Sequence, residues 1–146
     1  METIRVLFDT DLGDDVDDAA ALILALRSPG IQIAGVTTVF KDTRKRRELV
    51  QDLLARAGRP EIPVYAGYGK AFVERRFDET EEPIQYGLLE QAKAGTDDDT
   101  EVGQCAVDFI LETLKERPDT VILAMGSMTN LAMACMKDPK TMEQAK

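Results

Sequence analysis

The sequence predicts an α/β fold, a doubly wound, mostly parallel sheet with helices on both faces. Two observations predict it. Short runs rich in β-branched or apolar residues alternate with stretches of helical length and period, and the connections between them are mostly short. The chain's 146 residues, 44% of them hydrophobic, are enough for a single domain with one core.

"IRVLFD" (4–9) is a compact apolar run and reads as a buried strand. "DDAAALILALRS" (17–28) has helical length and is stopped by Pro29-Gly30. "IQIAGVTTV" (31–39) is rich in β-branched residues and reads as a second strand. A helix follows from about Asp42 to Ala57, with Leu49, Val50, Leu53, Leu54 and Ala57 on one face and Gly58 placed as its stop. "IPVYAG" (62–67) is a third, short strand. Between Tyr68 and Thr100 the pattern dissolves into charges, Gly87, Gly95 and the run Asp97-Asp98-Asp99, the mark of a functional or mobile excursion. A helix near 101–117, a strand "TVILAM" (120–125), the turn "GSMTN" and a helix "LAMACMK" restore the alternation. "DPKTMEQAK" then reads as a helix leading onward, and four strands make a thin open sheet. The expectation is therefore one domain over 1–146 that forms the N-terminal half of a longer one.

The net charge of −9 argues against a nucleic-acid backbone or an anionic membrane as principal partner and favours a cation. The basic cluster "RKRR" (44–47) opens a predicted helix and reads as a solvated face. Cys105 and Cys135 fall in helical patterns where a small apolar side chain fits, so no disulfide framework is expected. No run approaches membrane-spanning length and no signal peptide opens the chain, which makes the cytoplasm the expected compartment. With no histidine present, a zinc site of histidines and a Ser-His-Asp triad are excluded within these residues. Any bound metal must be held by oxygens, which selects hard ions such as Ca²⁺ or Mg²⁺.

"DTDLGDDVDD" (9–18) packs six aspartates into the loop between first strand and first helix. In doubly wound sheets ligands sit outside the carboxyl ends of the strands, so this loop lies at the expected site. Asp9 and Asp11 project together if the strand conformation persists, Gly13 permits a sharp turn, and Asp17 and Asp18 open the helix. If Asp9 merely ends a strand and Asp17 merely caps a helix, four aspartates are left to solvent. Converging carboxylates raise one another's pKa unless a cation joins them, which favours a metal site. An EF-hand fails on spacing, since its sixth and twelfth positions would be Asp14 and Ala20. A Mg²⁺-dependent haloacid-dehalogenase-like phosphatase fits "FDTDLG" and "LAMGS" but has no place for "DDVDD".

"VLFDTDLGDDVDDAAALILAL" resembles the opening of the nucleoside hydrolase family (inosine-uridine preferring), whose signature is D-x-D-x-G-x-D-D before a small-residue helix. Here two extra residues separate the glycine from the closing pair. "GVTTVFKDT", "AGRPEIPVYAG" and "ILAMGSMTNLAMA" resemble the family's second strand, third strand, and fourth strand with its turn, in that order. The resemblance covers nearly all 146 residues and about the first half of a family member, with a Rossmann-like fold.

What the resemblance implies is hydrolysis of the N-glycosidic bond of a ribonucleoside, with Ca²⁺ holding a water and the ribose diol. Asp11 and Asp18 would be metal ligands, Asp11 also the base for that water, and the Met125 backbone carbonyl a further ligand. Asp9 would stand behind the ligands. Asp17 would meet a ribose hydroxyl, as would Asp42, where the family commonly has asparagine; Asp42 read without the resemblance is a helix cap. Asn130 is expected to order its own turn. The family's last metal-ligating aspartate and its histidine acid belong to the C-terminal half. The expected partners are a small ribonucleoside and either a second copy of the chain or a separately supplied C-terminal half. The nonenzymatic alternative is a metal-binding fragment without turnover.

Overall fold

The computed structural model describes residues 3–71, 80–89 and 104–146. The order of elements is β1 (Ile4–Thr10), α1 (Asp17–Arg27), β2 (Ile31–Thr38), α2 (Thr43–Arg56), β3 (Val64–Ala66), a 3₁₀ turn (Ile84–Leu88), α3 (Gln104–Glu116), β4 (Val121–Ala124), α4 (Thr129–Lys137) and α5 (Pro139–Met142). Each predicted strand and helix is present, with ends displaced by a few residues, as fraying termini and caps allow. Residues 72–79 and 90–103, including Asp97, Asp98 and Asp99, lie outside the described residues. Of the long excursion, the 3₁₀ turn is the regular piece described, and no hydrophobic period announces so short an element.

All four strands are parallel, in the order β3-β2-β1-β4. β1 is central, and its alternating side chains feed two cores. Val6 and Phe8 enter one core with Leu22 and Ala25 of α1 and Leu49, Val50 and Leu54 of α2. Leu7 enters the other with Val107, Ile110, Leu111 and Leu114 of α3 and Ala134 of α4. Helices thus cover both faces. The register of β1 on β2 slips between Val6 and Leu7, which pair with Ile33 and Gly35. The bulged residue explains how Ile33 and Val36, three apart, reach the same core.

β4 lies at a sheet edge with Leu123 exposed, and its Ile122 N–H donates to the Lys146 carbonyl at 2.9 Å. Among the described residues no helix is long and apolar enough to cross a membrane, and both cysteines are free.

The strand order places the site. After β3 the chain crosses to the far side of β1, so the direction of winding reverses between β1 and β4. The loops leaving the carboxyl ends of these two strands, at Asp11 and at Met125, flank the crevice opened by that reversal.

Candidate active site

Asp9 is the last core-facing carboxylate of β1, and it is fully buried. Its Oδ1 accepts from Thr37 Oγ1 at 2.6 Å and from Asn130 Nδ2 at 2.8 Å, while Oδ2 has no hydrogen-bond partner. Burial pushes its carboxyl up to about 6, against the lowering pull of those two hydrogen bonds. Asp11 lies just past the strand end and has a different neighbour, Asp18. Its carboxyl is also raised to about 6, first by burial, then by the hydrogen bond and charge of Asp18, with the Arg46 charge in opposition. Asp18, the second residue of α1, is buried and accepts from Thr10 Oγ1 at 2.6 Å; the same hydroxyl accepts from the Leu12 amide at 3.1 Å.

The β4 side closes in on this pair. Met125 N–H donates to the Asp9 carbonyl at 2.8 Å. At Gly126 a Cβ would stand 3.0 Å from the Asp11 nitrogen and 3.3 Å from its Cβ. The backbone at Met125-Gly126 therefore runs directly against the Asp9–Asp11 segment.

Convergence is narrower than six aspartates imply. Among the described residues no group of three or more acidic or sulfur side chains is gathered to hold a metal. Asp14 turns away to Arg46 at 2.8 Å and Lys41 at 3.5 Å, and Asp15 is exposed. Asp17 is exposed too, and Val16 stands at the N-cap of α1 without a side-chain cap bond, so Asp17 does not cap the helix. Asp42 does cap α2, accepting from the Lys45 amide at 3.1 Å.

Do these residues suit a hard cation? Asp11 and Asp18 are pressed together in a half-buried setting where Asp11 is driven toward its neutral form, and Asp9 keeps an unpartnered buried oxygen. A divalent ion held by Asp11, Asp18 and the Met125 carbonyl would offset both the burial and the Asp18 charge that produce that rise. The donor set is all oxygen and fits Ca²⁺ in kind, supplying part of the 6–8 oxygens such an ion takes.

Two site residues escape the sequence pattern. Arg46, within the "RKRR" cluster expected to face solvent, is fully buried. Its guanidinium reaches four oxygens of the two neighbouring loops, which corrects the solvated-face expectation for this residue. Asn130 does more than order its own turn, since it bonds to Asp9, to the Thr38 carbonyl at 3.1 Å and to the Tyr68 amide at 2.8 Å. The seryl-threonyl turn before α4 offers a signal for Asn130; nothing local marks Arg46.

The raised Asp9 carboxyl makes a testable demand on the metal-free chain. A folded-state pKa of about 6 against an ordinary 3.8 means that the folded chain holds this proton more tightly than the unfolded one. The stability it contributes is fully present below pH 3.8 and is lost as pH rises through about 6. The loss is on the order of 2–3 kcal/mol for a shift of about two units. In chelator, unfolding measured at pH 5 and pH 8 should show a larger fall in stability for the parent chain than for Asp9→Asn. Identical falls would contradict the buried, proton-binding Asp9.

A family model for the inosine-uridine preferring nucleoside hydrolase matches residues 6–146. An uncharacterized protein of Schizosaccharomyces pombe is 37% identical over 148 residues, covering 98% of this chain and 46% of that protein. The probable uridine nucleosidase 2 of Oryza sativa subsp. japonica is 32% identical over 143 residues, covering 92% and 40%. Among solved structures, the purine-preferring ribonucleoside hydrolase from Gardnerella vaginalis superposes with a TM-score of 0.75 at 26% identity, covering 94% of this chain and 45% of that one. The chain spans less than half the length of the relatives it matches. The match includes both motifs that also fit the phosphatase pattern, the D-x-D loop and the "LAMGS" turn.

Proposed function

This chain belongs to the inosine-uridine preferring nucleoside hydrolase family, and from that premise we propose that it carries the N-terminal share of a site that hydrolyses the N-glycosidic bond of ribonucleosides with the help of Ca²⁺. The carrying observation is the Asp11–Asp18 pair at the β1/β4 crevice, with Met125-Gly126 packed against it.

Asp11, Asp18 and the Met125 carbonyl would hold the ion. When bound, Ca²⁺ supplies positive charge that makes a water more acidic and orients vicinal hydroxyls. Every other part of the chemistry rests on side chains. Asp11, its burial and the Asp18 charge offset by the ion, is the base that takes a proton from the attacking water. Thr10 fixes Asp18 by donating to its Oδ2, and the Leu12 amide fixes Thr10 in turn. Asp9 stands behind Asp11 and ties the β1 end to Thr37 and Asn130. Asp17, exposed at the start of α1, is free to accept from a ribose hydroxyl, and Asp42 offers a second acceptor while capping α2. Carboxylates around the sugar favour the positive charge that develops as the base departs.

The test compares residues 1–146 alone with the same residues fused to the C-terminal remainder of a solved relative. Ribose release from uridine and inosine, and phosphate release from an aryl phosphate, are measured in both with saturating Ca²⁺. The fused form should release ribose in an Asp11-dependent way, the 146-residue chain alone should be slower by orders of magnitude, and neither should release phosphate. Robust ribose release by a monomer of residues 1–146 would overturn the partial-site account. Phosphate release without ribose release would overturn the hydrolase reading.

A further inference from the structure

Six aspartates between residues 9 and 18 must be held in one folded loop against their mutual repulsion. A cation lies inside that loop. Arg46, the fourth residue of α2, is fully buried, and all three of its guanidinium nitrogens donate. Nε donates to the Phe40 carbonyl at 2.8 Å, Nη1 to the carbonyls of Asp11 and of Leu12, the latter at 3.0 Å, and Nη2 to Asp14 Oδ2 at 2.8 Å. Three of the four acceptors are backbone carbonyls, so the group binds the shape of the loop and not merely its charge.

The shape is costly without such a clamp. Gly13 has φ 129°, and a Cβ there would lie 2.7 Å from Leu49 Cδ1. Phe40 and Lys41 sit at φ 71° and 58°, a left-handed conformation that costs non-glycine residues on the order of 1 kcal/mol or more each. One planar fork therefore joins the Gly13 turn next to Asp11, which only glycine can make, and the strained Phe40-Lys41 turn that leads to Asp42. The 3₁₀ turn braces the outer side, through Gln85 N–H to the Gly13 carbonyl at 2.7 Å and Ile84 N–H to Asp14 Oδ1 at 3.2 Å.

We infer that Arg46 is a positioning residue of the proposed site, holding the Asp11–Leu12 and Phe40 carbonyls in one frame and so setting the Asp11 carboxylate against Asp18 and the Asp42 turn beside them. The inference rests on the reading of Asp11 and Asp18 as the cation-binding pair. Lysine does not substitute here, because one ammonium cannot serve four acceptors in a fixed fork and leaves buried carbonyls unpaired.

The experiment uses residues 1–146 with Arg46→Lys, Asp14→Asn, which takes the charge from one of the four contacts, and Leu54→Ala, which removes core packing from the same helix without touching the loop. Ca²⁺ affinity is measured by calorimetry and amide exchange by mass spectrometry, with the Leu12 amide region read against α3. Arg46→Lys should weaken Ca²⁺ binding by about tenfold or more, the range for residues supporting metal ligands. It should also speed exchange at residues 11–15 relative to α3. Asp14→Asn should do the same to a smaller degree, and Leu54→Ala should lower the melting temperature without either effect. Loop exchange in Arg46→Lys that rises only in step with α3, as in Leu54→Ala, would overturn the inference and leave Arg46 a structural residue. If the parent chain binds no Ca²⁺, the functional reading fails, and the loop-to-α3 exchange ratio alone still decides whether Arg46 holds the loop.

Discussion

Asn130→Ala is expected to destabilise the chain by several kcal/mol, on the order of 3–5, and to lower its melting temperature by roughly 10 °C or more. Asn130 is fully buried at the start of α4 and joins three strand ends. Its Nδ2 donates to Asp9 of β1 and to the Thr38 carbonyl of β2, and its Oδ1 accepts from the Tyr68 amide beyond β3. Truncation leaves the Tyr68 amide without its acceptor and Asp9 a buried carboxylate with one donor, Thr37, while the Thr38 carbonyl keeps only the Gly67 N–H. Gly67→Ala should be comparably harmful by a steric route. A Cβ there would stand 2.3 Å from Asn130 Nδ2 and 2.4 Å from the Thr38 carbonyl oxygen, contacts that the backbone around it cannot relieve cheaply. Urea and thermal unfolding of both variants check this; losses under about 1 kcal/mol in both would contradict the assigned network.

The second large effect concerns the cation. Ca²⁺ should raise the melting temperature of the parent chain, because a ligand present at about 100 times its dissociation constant adds roughly 2.7 kcal/mol of stability. Asp11→Asn and Asp18→Asn should each abolish that rise, since each removes one of the two carboxylates that press together. Asp15→Asn removes the same charge from an exposed position of the same loop and should leave the rise nearly intact. Scanning fluorimetry of the four proteins with and without Ca²⁺ is the measurement. Equal loss in all three variants would mean that the ion only screens a chain of net charge −9.

The architecture was legible because its information is local. The apolar run of β1, the β-branched run of β2 and the stops at Pro29-Gly30 and Gly58 each specify an element from adjacent residues. The acidic loop was legible for the same reason, since six aspartates after a buried strand are conspicuous wherever the chain goes. What stayed hidden depends on distant partners. Arg46 reads as one more cation in "RKRR", and its burial follows from carbonyls of residues 11, 12 and 40, which no periodicity brings to mind. Asn130 looks like a turn residue until β1, β2 and the loop after β3 are assembled around it. The aspartates themselves divide by direction, which sequence does not give: Asp11 toward Asp18, Asp14 toward Arg46, Asp9 into the core, Asp15 and Asp17 to solvent. Six aspartates within ten residues therefore suggested a fuller convergence than the two carboxylates that meet.

The most direct test of the central claim is a crystal structure of residues 1–146 grown with Ca²⁺, with the ion identified by its anomalous scattering. The account predicts an ion in the β1/β4 crevice that contacts the carboxylates of Asp11 and Asp18 and the backbone carbonyl of Met125, with Arg46 still bound to the Asp11 and Leu12 carbonyls. An ion bound instead at the exposed Asp15 or Asp17, with Asp11 and Asp18 still in contact with each other, would contradict it.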